Sequence, residues 1–348
     1  MGDLGLEVER LLSNMDDSGL TPDADCFTAA IRTWKNSALH HSQSSESSKL
    51  VKSDALKADE MLHKMAEMYH RTSTVYVKPT TLNYNDVIEA WSKSSANGAA
   101  ERVEELLASM EKQSNNEDSQ VSPNYESYKF AIDAWTNSYK LADKVERSMS
   151  VLNRLLAQHC AGNMQCKPTV DCYNAVIETC QSAYSIGKNN EKIVQAVTST
   201  VQKLRHSNDC NPNSTTYTLL LRTIAELLPL DSKNAIEVIF TNCCTEGLVD
   251  DTVIKAFQAV ATNDMYQRII MSAAMDDDLI STKTLPKEWT RNVYGKEVRV
   301  RVAEGVRTLP LTVHGTFVND SNLFFSEQKM KKLKSKRNQS LLRGGRMS

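Results

Sequence analysis

Pro123-NYES-Tyr128-KFA-Ile132-DA-Trp135 is a phrase that this chain repeats. It returns as Pro22-DADC-Phe27-TAA-Ile31-RT-Trp34, Pro79-TTLN-Tyr84-NDV-Ile88-EA-Trp91, Pro168-TVDC-Tyr173-NAV-Ile177-ET-Cys180 and Pro212-NSTT-Tyr217-TLL-Leu221-RT-Ile224. A weaker copy begins near Leu248 and keeps Phe257 at the aliphatic place. In each copy the aromatic, the aliphatic four residues on and the large residue seven on occupy one face of an α-helix, so that face is expected to be buried. The proline cannot continue a preceding helix, and Asp, Asn, Ser or Thr beside it can cap the next one. The phrase therefore opens a first helix, here called A.

A turn of small or polar residues follows, such as Ser94-Ser95-Ala96-Asn97-Gly98, and then a second amphipathic stretch, helix B. Ala100–Met110, Ala142–Ala157 and Asp54–Tyr69 are examples. Each repeat reads as an antiparallel helix hairpin too small to bury its own apolar stripe, so stability must come from stacking on neighbours. The expected fold is all-α: an α-solenoid of about five to six stacked hairpins over residues 1–285, followed by a basic, largely irregular tail over 286–348. Leu4–Met15 reads as a B helix with no A helix before it, as if the chain starts in the middle of an array. Trp34, Trp91 and Trp135 share the phase of Ile31, Ile88 and Ile132, so they are expected in the core, not as base-stacking platforms. Met65 and Met110 read as packing groups of helix B.

Composition agrees with long helices. The 348 residues hold only 12 glycines and 8 prolines, and 6% are aromatic. No apolar run reaches the roughly 18 residues needed to cross a bilayer. The 8 cysteines include no CxxC pair, and His159 with Cys160, Cys166 and Cys172 lacks the spacing of a zinc site. Cys172 and Cys180 fall at internal helix positions and read as buried thiols in a reducing compartment. The opening Met-Gly-Asp-Leu-Gly-Leu-Glu has neither the layout of a signal peptide nor the Arg/Ser-rich character of a transit peptide.

Charge divides the chain. The net balance is −2, yet residues 286–348 hold 14 Lys/Arg and 5 Asp/Glu, which leaves 27 basic against 38 acidic residues, or −11, over 1–285. Lys329, Lys331, Lys332, Lys334, Lys336 and Arg337 form a basic run suited to a phosphate backbone or to a nuclear-type address, or else a solvated tail. Upstream, 298–302 and 311–318 alternate as a strand hairpin would. No nucleophile–base pair, phosphate loop or metal cluster emerges, and the Asp276–Asp278 run has no further ligand nearby, so neither an enzyme, a cofactor, a metal nor a small-molecule substrate is expected.

The phrase resembles the pentatricopeptide repeat, which places Tyr-Asn early in helix A and Gly-x-x-Pro-Asp after helix B. Tyr84-Asn85, Tyr173-Asn174 and Gly19-Leu20-Thr21-Pro22-Asp23 carry the resemblance, which covers about residues 4–275 and is nearest to expanded, Trp-containing algal-type repeats. The Trp-Leu-Gly signature of the tetratricopeptide alternative is absent. The resemblance implies a right-handed superhelix that binds single-stranded RNA, one base per repeat, in a mitochondrion or chloroplast. It implies as reading pairs Thr28 with Thr80, Asn85 with Asn124, Lys129 with Thr169, Asn174 with Asn213, and Thr218 with Val249. The two Asn–Asn pairs resemble a pyrimidine-reading combination; the side chain of Val249 offers no hydrogen bond.

Two departures are plain. The repeats run to 44 or 45 residues through polar inserts such as Gln113–Ser122, and Ser42–Ser53 reads as a longer surface loop of the same sort. The helix-A residues Glu89, Asp133, Glu178, Ser92, Thr136 and Gln181 make a repeating polar flank that any solvated face would show, and a body at −11 is a poor footprint for phosphates. A protein-interaction scaffold using the same groove is thus the alternative.

Overall fold

The structure is a computed structural model that describes residues 2–43, 48–73, 75–115, 120–139, 143–184, 190–228, 232–271, 273 and 285–293. The described residues are helical and contain no strand. Two compact units divide the chain, residues 1–227 and 228–348.

The first unit alternates B and A helices from its start: α1 (Gly2–Asp17), α2 (Ala24–Ser42), α3 (Ser48–Thr72), α4 (Thr81–Ser92), α5 (Ala99–Gln113), α6 (Tyr125–Asn137), α7 (Lys144–Cys160), α8 (Val170–Ser182), α9 (Glu191–Arg205) and α10 (Ser214–Leu227). The even-numbered helices are A helices, and each packs on the next, α2 on α4, α4 on α6, α6 on α8 and α8 on α10. The B helices lie beside them, α5 between α4 and α6, α7 between α6 and α8.

The repeated phrase does what its spacing demands. Phe27, Tyr84, Tyr128, Tyr173 and Tyr217, with Ile31, Ile88, Ile132, Ile177 and Leu221 and with Trp34, Trp91, Trp135, Cys180 and Ile224, are all buried. Met65 and Met110 are buried as well. Helix starts are capped where the proline places them. Asp23 Oδ1 accepts from the Cys26 N–H at 2.9 Å, and Asn124 and Ser127 exchange side-chain and backbone bonds at 3.1 Å each.

A ladder on the B side ties Trp91 and Trp135 to their neighbours, while the buried Trp34 Nε1 has no hydrogen-bond partner among the described residues. Trp91 Nε1 donates to Asp59 of α3 at 3.1 Å, and Arg102 of α5 grips the same carboxylate at 2.7 and 3.0 Å. One repeat on, Trp135 Nε1 donates to Glu104 at 3.1 Å and Arg147 of α7 meets that carboxylate at 3.1 Å, its guanidinium 5.8 Å from the indole centroid. Lys57 and Glu9, 3.4 Å apart, hold the matching places at the first rung. There a Cβ on Gly5 would sit 2.7 Å from the Trp34 ring, so the indole lies directly on the α1 backbone. Ala55 and Ala100 occupy the equivalent positions, and Val145 does so where Cys180 replaces Trp.

Two expectations need correction. Ser42–Ser53 is not a loop throughout: α3 starts at Ser48, because Val51, Ala55 and Ala58 form one buried stripe that carries the helix into the Ser-rich stretch. The irregular tail does not begin at 286. In the second unit, α11 (Ser232–Glu246) and α12 (Asp251–Val260) form a hairpin, followed by α13 (Asn263–Tyr266) with a π turn, Gln267–Met271, and by α14 (Lys287–Thr290). Leu285 is buried, Trp289 meets Phe240 edge-on at 6.0 Å, and the Asn292 N–H donates to Gly247 O at 2.9 Å, so residues 285–292 belong to this unit. The residues around His159 are engaged with other groups. His159 Nε2 lies 3.0 Å from Asp209, Cys166 and Cys172 are buried free thiols, and no metal-holding group occurs among the described residues. The 298–318 hairpin, the Asp276–Asp278 run and the basic run 329–337 lie outside the described residues. No described helix is long and apolar enough to cross a membrane.

Two measurements test this packing. Trp135→Ala should lower unfolding free energy by about 3–5 kcal/mol, and Trp135→Phe by only about 1–2 kcal/mol, since the latter keeps most of the apolar contact and loses the bond to Glu104; urea titrations followed by circular dichroism read both.

The second test uses pH. Burial pushes the Cys166 thiol up to about 11 and the Cys180 thiol up to about 12, from an ordinary value of 9.0. The unfolded chain then loses these protons first, so their contribution is full below pH 9 and falls as pH rises toward 11–12, by up to about 1.4 kcal/mol per pH unit for each thiol. Cys180→Ala should flatten the alkaline limb of the stability curve relative to the parent.

Candidate nucleic-acid interface

The seam between successive A helices is where the repeat brings its polar residues together. At each junction the residue after the buried aromatic of one helix faces the N-terminus of the next. Asn85 of α4 donates from Nδ2 to Asn124 Oδ1 at 3.1 Å, and its own Oδ1 accepts from Ser127 Oγ at 2.6 Å. The same arrangement recurs two junctions on. Asn174 Nδ2 donates to Asn213 Oδ1 at 3.3 Å, and Asn174 Oδ1 accepts from Thr216 Oγ1 at 2.7 Å. At the α2–α4 junction Asn83 Nδ2 donates to Thr28 Oγ1 at 2.8 Å, while Asn83 Oδ1 accepts from the N–H and the hydroxyl of Thr80.

Three of the expected pairs are thus brought together: Asn85 with Asn124 and Asn174 with Asn213 directly, Thr28 with Thr80 through Asn83. Their amides face one another more than they face solvent, for Asn85 and Asn174 are only 6% and 5% exposed. Asn124 and Asn213 are half-buried, and their Nδ2 groups make no hydrogen bond among the described residues. Lys129 turns along its own helix to Asp133, 2.6 Å away, while Thr169 lies 3.6 Å from Cys172. Thr218 falls in the first unit and Val249 in the second. Val249 is fully buried and its backbone N–H donates to Trp289 O, so its side chain has no surface to present to a base.

The residues that sequence reasoning missed are Asn83, Ser127 and Thr216, the partners across each junction. Their signal was present: the residue just before each buried aromatic is small or polar in every copy, Cys26, Asn83, Ser127, Cys172 and Thr216. Its helix-capping role was readable, but its second bond to a residue 42 positions earlier was not.

Further along the A helices the polar flank pairs with itself. Lys35 of α2 meets Asp86 at 2.8 Å and Glu89 at 3.3 Å, both on α4. Burial pulls the Lys35 pKa down, but these carboxylates outweigh it and the net shift is upward, so Lys35 stays charged. Lys129 behaves alike, burial opposed and overcome by Asp133. Thr136 and Thr179 hydroxyls lie 2.6 Å apart, and Gln181 donates to Glu226 at 3.1 Å. These cations are neutralised inside the protein before any ligand arrives.

One stretch of the seam opens into a cleft of about 670 Å³ lined by Asn124, Tyr125, Met164, Lys167, Thr169 and Asp209, among others. Tyr125 and Met164 are exposed there, 37% and 71%, and Lys167 is 3.4 Å from Asp209. An apolar ring beside amide, hydroxyl and ammonium groups is a surface on which a planar, hydrogen-bonding ligand can stack.

Comparison of the chain with models of protein families, with curated proteins and with solved structures finds no match.

Proposed function

We propose that this chain is a non-catalytic, pentatricopeptide-like array of about five to six repeats, wound as a right-handed superhelix, that binds single-stranded RNA along its A-helix seam. The observation that carries the reading is the recurrence of one polar arrangement, Asn85 with Asn124 and Ser127, then Asn174 with Asn213 and Thr216. In each, the first Asn is held in place by the next repeat and the Nδ2 of the second makes no other bond among the described residues. A fixed amide beside a spare donor is suited to the edge of a base, and preorganisation lowers the ordering cost of binding. Tyr125 supplies an adjacent stacking surface. Organellar RNA is the expected target class, on the resemblance.

Electrostatics set the strength. Lys35 and Lys129 are already paired with carboxylates, so the array itself releases few counterions when it meets phosphates. Lys329, Lys331, Lys332, Lys334, Lys336 and Arg337 would supply the phosphate contacts that the body lacks. The same pairing favours a second reading, a protein-interaction scaffold, because a face of alternating ammonium and carboxylate groups suits a peptide carrying both charges.

Equilibrium binding separates the two. Asn124→Ser with Asn213→Ser keeps an N-cap oxygen at both helix starts and removes both Nδ2 donors. It should weaken a pyrimidine-containing single-stranded RNA by roughly 1 kcal/mol per position and leave a mismatched RNA little changed. Removal of residues 326–348 should weaken all RNAs alike and flatten the salt dependence. A tail-less chain that keeps its helical circular dichroism but binds no RNA at low salt would move the assignment to the scaffold.

A further inference from the structure

The first copy of the phrase carries Phe27 where the later copies carry tyrosine, and that difference changes the space beyond the ring. In the next copy Tyr84 Oη accepts from Gln113 Nε2 at 2.8 Å, and Gln113 also reaches Ser109 Oγ at 3.1 Å. One copy further, Tyr128 Oη donates to Glu111 at 2.8 Å, and Arg154 of α7 grips that carboxylate at 2.6 and 3.1 Å. In both, side chains of the flanking B helices meet the hydroxyl and occupy the space beyond the ring. The ladder sets the register, since Lys57, Arg102 and Arg147 hold equivalent places. Counting from them, Lys64 corresponds to Ser109 and Arg154, and Met68 to Gln113. Phe27 has no hydroxyl, and Met68 has no amide with which to meet one.

What stands there is a cavity of about 870 Å³ between α1, α2 and α3, a volume within the range of small-molecule sites. Its floor is apolar: Phe27, Met61 and Met68 are buried, and Leu12 and Pro22 complete it. Lys64 and Arg71 share one face of α3 with Met61 and Met68 and are exposed at the rim. Neither has a carboxylate partner among the described residues, unlike Lys35, Lys57 and Lys129. Glu67, the acid on the same rim, is turned to His63 at 3.2 Å. Glu9 on the α1 wall keeps its Oε2 3.4 Å from Lys57, while its Oε1 is buried and accepts no hydrogen bond among the described residues. The cavity lies between consecutive B helices, and no residue of the A-helix seam lines it.

We propose that this cavity binds a small amphipathic carboxylate, an acid with an apolar body that carries a hydroxyl group. The floor takes the body, because methionine side chains adapt to rings and chains alike. At the rim, the Lys64 ammonium and Arg71 guanidinium take the carboxylate through charge-assisted hydrogen bonds. The buried Glu9 oxygen takes the hydroxyl proton, since an acceptor left unpaired inside the protein costs free energy. An acid of this class fills the space that a tyrosine hydroxyl and its glutamine or arginine partner fill in the later copies. Its body is a ring or a chain, and the test carries one of each.

Isothermal titration of the full chain with para-hydroxyphenylpropionate and with ω-hydroxydodecanoate tests the site. Saturable binding of one acid per chain is expected, and the tighter of the two identifies the body. The amide of that acid should bind about tenfold more weakly, because it lacks the charge that Lys64 and Arg71 meet, and the acid without its hydroxyl about fivefold more weakly. Lys64→Gln with Arg71→Gln, both at exposed positions, should reproduce the loss seen with the amide and leave circular dichroism unchanged. Phe27→Tyr with Met68→Gln, which rebuilds the Tyr84–Gln113 pair in the first copy, should abolish binding without lowering the melting temperature. No saturable binding of either acid up to about 1 mM, or binding indifferent to either double substitution, overturns the proposal.

Discussion

Every A helix in the first unit carries an apolar stripe that its own hairpin is too small to bury. Tyr128, Ile132 and Trp135 reach low exposure only because α4, α5, α7 and α8 close around α6. From that constraint follow the need for neighbours, the repeat of one phrase and the placement of polar groups at the junctions. Leaving those groups unpaired once the helices close is costly, as for any buried amide or carboxylate without a partner. The chain answers on both sides of the stack, with Trp–carboxylate–Arg rungs among the B helices and Asn–hydroxyl pairs among the A helices.

In the proposed function, the A-side solution links stability to recognition. Asn85 and Asn174 hold the next repeat through Ser127 and Thr216, and in doing so fix the orientation of Asn124 and Asn213. A seam built this way holds its amides in place through the next repeat, with donors presented at helix N-termini and not by loops. The cost is electrostatic: closing the A helices on one another also draws Lys35 into ion pairs with Asp86 and Glu89, while Lys129 is held by Asp133 of its own helix. Shape and hydrogen bonding, more than charge, are what the described surface offers a partner.

Much of this was legible in the sequence for a physical reason. Tyr, Ile and Trp at spacings of four and three have only one helical face on which to lie, so burial followed from the period alone. Proline followed by Asp or Asn marked each helix start. The pairs Asn85–Asn124 and Asn174–Asn213 came from the resemblance, and they do meet in space. The rungs were not legible: Asp59 and Arg102 lie 43 residues apart, and nothing local to either signals the other. Val51 was hidden by its serine neighbours, whose modest helix propensity was overridden by burial of the Val51–Ala55–Ala58 stripe. Trp289 was hidden in a basic stretch, and only its packing on Phe240 reveals that the second unit extends so far.

The central claim is that bases meet the A-helix seam between α4 and α10. Ultraviolet crosslinking of the full chain to a pyrimidine-rich single-stranded RNA, with crosslinked residues identified by mass spectrometry, tests it most directly. Crosslinks at Tyr125 and within the peptides spanning 120–130 and 164–174 are the predicted result. Crosslinks confined to residues 329–337, with none on the seam, would contradict it.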